Sequence, residues 1–135
     1  MEQRGNPTRV LLVDDSVAVL WGLAKLIQGE YPRMTVIGAV ASADDALVYC
    51  DLEPHVTLLD IDLRGASSLG FIPEIRARSR GQVLVFSGVR DVRVHGRALA
   101  LGAAAVIGKD APGAMVLRAI ERARDSGAGS FVPAR

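Results

Sequence analysis

Apolar residues along this chain follow two alternating patterns: short unbroken runs, and longer stretches in which they recur every three or four positions. The runs RVLLV (9–13), MTVIGAV (34–40), HVTLL (55–59), QVLVFS (82–87) and AAVIG (104–108) are rich in Val, Ile and Leu. Because they are apolar throughout and do not alternate, they predict strands covered on both faces. Helical spacing follows each run. Val17 to Gln28 sets Val17, Leu20, Trp21, Leu23, Ala24 and Ile27 on one broad face. A helix over 43–51 starts behind Ser42, a residue suited to cap its first amides. The remaining helices are predicted over 69–79, after a glycine- and serine-containing loop, over 91–101, ended by Gly102, and over 111–125, with Pro112 in the first turn.

Five strands alternating with five helices predict an α/β fold, a doubly wound five-stranded parallel sheet with helices on both faces. Right-handed crossovers favour the strand order 2-1-3-4-5. The 135 residues suit one domain, expected over 9–125. Residues 1–8 read as an N-terminal tail and the Gly/Ser/Pro-rich 126–135 as a linker.

Composition narrows the function classes. Half the residues are apolar and the net charge is +1, too small for general attraction to nucleic acid or an anionic membrane. Charge is uneven locally, with seven Arg against three acids over 61–100. Arg90, Arg93 and Arg97 read first as a solvated face, and secondarily as a docking surface. The single Cys50 has no internal disulfide partner and reads as a small apolar filler. Neither His55 nor His95 has partners at metal-ligand spacing, so both read as structural or solvated. Trp21 and Tyr31 are expected to be partial core and rim. No apolar run approaches the roughly 20 residues needed to span a bilayer, and MEQRGNPT lacks the apolar core of a signal peptide. The expectation is a cytoplasmic protein with no membrane partner.

The chemistry lies where the apolar runs end. Strand 1 ends in Asp14 and Asp15, strand 3 in Asp60 with Asp62 two residues on, strand 4 in Ser87 followed by Gly88, and strand 5 in Lys109. In doubly wound sheets these ends line the ligand crevice. Adjacent carboxylates repel unless a positive group sits beside them. An all-oxygen pocket suits a hard dication such as Mg²⁺. Beside such an ion Asp60 is suited to attack a phosphoryl group, with Lys109 and Ser87 contacting its oxygens.

LLVDDS (11–16), PHVTLLDIDL (54–63), VLVFSG (83–88) and LGAAAVIGKDAP (101–112) together resemble the response-regulator receiver domain of two-component systems. The resemblance implies a flavodoxin-like fold and a phosphoacceptor, Asp60, charged by a sensor histidine kinase. It implies Asp15 as a direct Mg²⁺ ligand, Asp14 acting largely through water, and the main-chain carbonyl of Asp62 completing the protein ligands. Ser87 and Lys109 would contact the phosphoryl group. The output would be a switch on the helix 4, strand 5 and helix 5 face, including a homodimer, and not an enzymatic turnover. AIERARDSGAGSFVPAR (119–135) is similar to the end of NarL/LuxR-type receivers, in which a DNA-binding domain follows. DNA would be reached only through such a domain.

Three positions depart from the family pattern. Arg64 stands where proline is usual, the glycine expected shortly after it appears late, at Gly70, and Val106 replaces the usual Tyr or Phe. These departures keep open a pseudo-receiver, an interaction module without a phospho-switch. A haloacid-dehalogenase-like phosphatase, with Asp60 and Asp62 as nucleophile and general acid, is disfavoured because its acidic pair comes after the Asp-x-Asp strand. A flavodoxin-like cofactor module is disfavoured by the acidic loop after strand 1.

Overall fold

A computed structural model describes residues 6–129, with side chains described as far as Ser126. The five apolar runs form β1 (Thr8–Val13), β2 (Met34–Val40), β3 (Val56–Leu59), β4 (Gln82–Ser87) and β5 (Ala103–Gly108). They alternate with α1 (Val17–Gln28), α2 (Ala43–Tyr49), α3 (Phe71–Arg78), α4 (Val92–Ala100) and α5 (Gly113–Gly129). All neighbouring strands pair in parallel, in the order β2-β1-β3-β4-β5. This is the flavodoxin-like order expected from the sequence.

The doubly apolar strands are explained by what covers them. Along β1, Leu11 and Val13 face a core shared with Ala46 and Leu47 of α2, Ile72 and Ile75 of α3, and Ala98 of α4. Val10 and Leu12 point the other way, to Leu23 and Ile27 of α1 and to Val116 and Ile120 of α5. Successive side chains thus bury into opposite layers, so the middle of each strand carries no charged residue.

Several boundaries differ from the sequence reading. The apolar face of α1 is narrower than expected: Val17 is 78% and Trp21 67% exposed, because both lie a quarter turn or more from the middle of the buried stripe around Leu23 and Ile27. Lys25 stacks its ammonium 5.0 Å from the Trp21 ring. Tyr31, at 73% exposed, is likewise outside the core. Helix α2 ends at Tyr49 and tightens into a 3₁₀ turn over Cys50–Leu52, whose buried Cys50 is the apolar filler expected. Burial pushes its thiol pKa up. Helix α5 starts one residue after Pro112 and runs to Gly129, four residues past the predicted end at 125. The remainder of the predicted tail, 130–135, lies outside the described residues, as do 1–5. Within those described, no helix is long and apolar enough to cross a membrane.

The end of the sheet opposite the acidic cluster carries a titratable lock. His55 donates its backbone N–H to the Arg9 carbonyl at 2.9 Å, and its Nδ1 accepts the Arg9 N–H at 2.8 Å. That acceptor exists only on an imidazole unprotonated at Nδ1. Burial, followed by the nearby Arg124 and Arg9 charges, lowers the His55 pKa from 6.5 to about 4. Above pH 6.5 the ring is neutral in both folded and unfolded chains, and the lock is intact. As pH falls from 6.5 through 4, the unfolded chain binds the proton first, and stability is lost. After screening of a partly exposed ring, the loss is on the order of 1 kcal/mol. An NMR titration should put the His55 midpoint near 4; a midpoint at the ordinary 6.5 would show that the lock does not form.

Candidate functional site

Three of the residues singled out at strand ends have their backbones tied to the neighbouring strand. The Asp14 N–H donates to the Val40 carbonyl (3.0 Å), that of Asp60 to Val13 (2.9 Å) and that of Lys109 to Ser87 (2.9 Å). The parallel ladder therefore continues one residue beyond β1, β3 and β5. This aims the side chains at one rim without relying on loop conformation.

Their side chains meet there. Asp14, Asp15 and Asp60 each present one carboxylate oxygen within 4.8 Å of the others. Lys109 Nζ lies 2.9 Å from Asp14 Oδ2 and 3.1 Å from Asp60 Oδ2. Asp14 and Asp60 are buried, whereas Asp15 is exposed. Three carboxylates against one ammonium leave the rim negative. Burial raises the Asp60 pKa, opposed by hydrogen bonds from Lys109 and the Asp62 N–H, and Asp14 raises it further. For Lys109 burial lowers the pKa, but the two carboxylates outweigh it and hold the ammonium above its usual range.

One atom in this arrangement has no hydrogen-bond partner. Asp14 Oδ1 accepts the Ser16 N–H at 2.9 Å. Asp14 Oδ2 is fully buried, and although the Lys109 ammonium is close, it lies off the direction of a hydrogen bond. The ion pair offsets the charge of this oxygen, and its hydrogen-bonding capacity is left for a further partner. Oxygen donors alone, a buried oxygen without a hydrogen bond and excess negative charge fit a hard dication of the Mg²⁺ type. The residues that would hold it are Asp14, Asp15 and Asp60. Asp62 lines the same open cleft of about 330 Å³, with its side chain turned to solvent.

The connection from β3 to α3 holds an element the sequence reading missed. Asp62–Leu63 pairs antiparallel with Ala66–Ser67 in a hairpin with a two-residue turn, where a glycine- and serine-containing loop was expected. Its turn residues, Arg64 and Gly65, have φ of 56° and 80°. The glycine of this turn is Gly65, whereas Gly70 is right-handed at the start of α3. The Gly at 65 within this four-residue spacing was the available signal. The Arg64 N–H donates to Asp15 Oδ2 at 2.7 Å. The buried Ser68 anchors the far end through hydrogen bonds to the carbonyls of Ile61 and Asp60.

On the other side of the rim, Ser87 Oγ accepts the Val89 N–H at 2.9 Å. The Val89 carbonyl in turn accepts from His95 Nε2 on α4 at 2.6 Å. His95 thus has a structural role, tying α4 to the loop after β4. Val106 packs beside Val94 and Leu101 against the core. Arg90, Arg93 and Arg97 are exposed, with Arg90 paired to Asp110 and Arg93 to Asp91. The solvated-face reading stands for them.

Residues 10–121 match the response regulator receiver domain. The chain is 30% identical over 108 residues to a protein-glutamate methylesterase/protein-glutamine glutaminase of Rhodopseudomonas palustris, covering 77% of this chain and 28% of that protein. It thus spans little more than a quarter of that relative. By fold it is similar to the signal receiver domain of the response regulator NarL from Mycobacterium tuberculosis (TM-score 0.82, 22% identity, 89% and 98% of the two chains). It is also similar to the response regulator domain of Thermotoga maritima CheB (TM-score 0.80, 24% identity, 88% and 97%). The family match sets aside the phosphatase and flavodoxin-like cofactor readings.

Removing the ammonium leaves the carboxylates facing one another. Lys109→Met, in divalent-free buffer, should lose about 2 kcal/mol of stability in urea denaturation, less than a fully buried pair because Lys109 is partly exposed. An unchanged midpoint would show that the Lys109 contacts do not hold the rim together.

Proposed function

The chain belongs to the response regulator receiver domain family, and from that premise we propose that it is a phosphoryl-accepting switch in which Asp60 is charged by a sensor histidine kinase. The observation that carries this reading is the convergence of Asp14, Asp15 and Asp60 oxygens beside Lys109. An Asp60 carboxylate oxygen attacks phosphorus. The phosphorus–nitrogen bond to the donor imidazole breaks, its electron pair stays on nitrogen, and nitrogen takes a proton from solvent. Mg²⁺, when bound, offsets charge on the phosphoryl oxygens. Asp14, Asp15 and the Asp62 carbonyl are its proposed partners besides Asp60.

Ser87 and Lys109 respond to the new charge. Ser87 Oγ accepts from Val89, which leaves its own hydrogen free to donate to a phosphoryl oxygen. The Lys109 ammonium, already at Asp60 Oδ2, transfers to the added oxygens. A phosphoryl group brings about −2 of charge. Drawing Ser87 toward it pulls on the Val89 amide, and through the Val89 carbonyl on His95 and α4. That route reaches the α4/β5/α5 face with valine at 106, and the shift there favours a homodimer or frees an output domain. The chain acts as a stoichiometric acceptor in the cytoplasm, not as an enzyme.

The similarity of 119–135 to NarL/LuxR-type receivers supports transcriptional output through a DNA-binding domain. The methylesterase relatives favour a second reading, in which the receiver controls a catalytic domain. Val106 favours a third, the pseudo-receiver. Intact mass after acetyl phosphate separates an active receiver from a pseudo-receiver. With Mg²⁺ one phosphoryl mass should appear, without Mg²⁺ much less, and Asp60→Asn should carry none. An unlabelled wild-type chain would establish the pseudo-receiver, and a labelled Asp60→Asn would move the acceptor elsewhere.

A further inference from the structure

The hairpin beside the acidic rim adopts a backbone that its sequence resists. A left-handed arginine is disfavoured by about 1 kcal/mol or more relative to glycine. Yet Arg64 has φ 56° and is exposed, so no side-chain packing explains the conformation. What it gains is a direction for its amide. With φ positive at both turn residues, the hairpin is of the tight primed kind. The Arg64 N–H is directed at Asp15 Oδ2, 2.7 Å away and 49 residues distant in the chain. This is a charge-assisted bond, stronger than an ordinary amide contact.

The turn is held from both sides. Ile61 and Leu63, before and within its first strand, are buried, as are Ser68 and Leu69 directly after its second. Asp62 pairs with Ser67 and Leu63 with Ala66. The Ser68 hydroxyl donates to the Asp60 carbonyl. One rigid strap therefore joins the backbone of Asp60 to the side chain of Asp15. Asp15 needs such a support more than its neighbours do: Asp14 and Asp60 are immobilised by burial, whereas Asp15 is exposed.

We propose that the backbone amide of Arg64 is a positioning group for the dication site, fixing the exposed Asp15 carboxylate in the orientation that ligates. The inference rests on the reading of Asp15 as a cation ligand. Its chemistry follows from the residue type. Proline, usual at this position in the family, has no N–H and a φ fixed near −65°, so it could make neither the turn nor the bond. Arginine at 64 supplies both through its main chain, and its guanidinium is dispensable.

The test is Mg²⁺ titration followed by calorimetry and by the amide shifts of residues 14–16. Arg64→Gly keeps the N–H and relieves the turn, and should bind Mg²⁺ within about two-fold of wild type. Arg64→Pro removes the N–H and should bind about 10-fold more weakly, the usual effect of losing a group that orients a metal ligand. Equal affinity in wild type and Arg64→Pro would overturn the inference while leaving the acidic site intact. So would an Arg64→Gly variant as weak as Arg64→Pro, since the side chain would then be responsible. A wild type without saturable Mg²⁺ binding would overturn both this inference and the reading it rests on. Amide exchange covers the case in which Arg64→Pro does not fold. The Arg64 N–H should exchange slowly in wild type and at least 10-fold faster in Asp15→Ala. Equal rates in the two would overturn the inference.

Discussion

The structure turns on crowding three carboxylates, two of them buried, at one rim of a parallel sheet. Like charges at such separations destabilise one another, and burial makes each ionised group harder to keep. The fold answers with geometry. Asp14, Asp60 and Lys109 are the first residues beyond β1, β3 and β5, and each backbone N–H is still engaged by the adjacent strand. The apolar strands cannot slide to relieve the repulsion without burying a charge in one of the two helical layers. The Lys109 ammonium neutralises part of the rim, and one Asp14 oxygen stays without a hydrogen-bond partner.

This constraint explains why most of the site could be read from the sequence. A strand buried on both faces admits no charge along its length, so the first polar residue after each apolar run marks the rim. Asp14, Asp60, Ser87 and Lys109 were found that way, while the five strands came from the apolar runs themselves and their order from right-handed crossovers. Elements without a period were not legible. The 62–67 hairpin has two-residue strands, too short to alternate, and its turn was marked only by Gly65 after an arginine that rarely adopts positive φ. The width of the α1 face was overread because Val17 and Trp21 keep helical spacing with the buried residues while lying outside their stripe. The end of α5 was underread because Ser and Gly at 126–129 have low helix propensity, a preference of at most about 1 kcal/mol per residue that context overrides.

The two sides of the rim divide the work. The hairpin side controls the acidic residues, joining Asp60 to Asp15 through Ser68 and Arg64. On the β4–α4 side, Ser87, Val89 and His95 form one hydrogen-bonded chain from the rim to α4. In the proposed switch this polar chain would link the rim to α4 with valine, in place of the usual aromatic residue, at 106. Solved relatives of the same fold come from a regulator named NarL and from CheB, so the receiver fold by itself does not choose an output.

The clustered oxygens of Asp14, Asp15 and Asp60 call for one dication among them. Paramagnetic Mn²⁺ in place of Mg²⁺ tests it directly, through the broadening of backbone amide signals. Substoichiometric Mn²⁺ should broaden the amides of 14–16, 60–62, 87–88 and 109, and excess Mg²⁺ should restore them. Broadening centred on other acidic residues such as Asp44, Asp45 or Glu121, or spread evenly over the surface, would show that no dication is held among these three carboxylates.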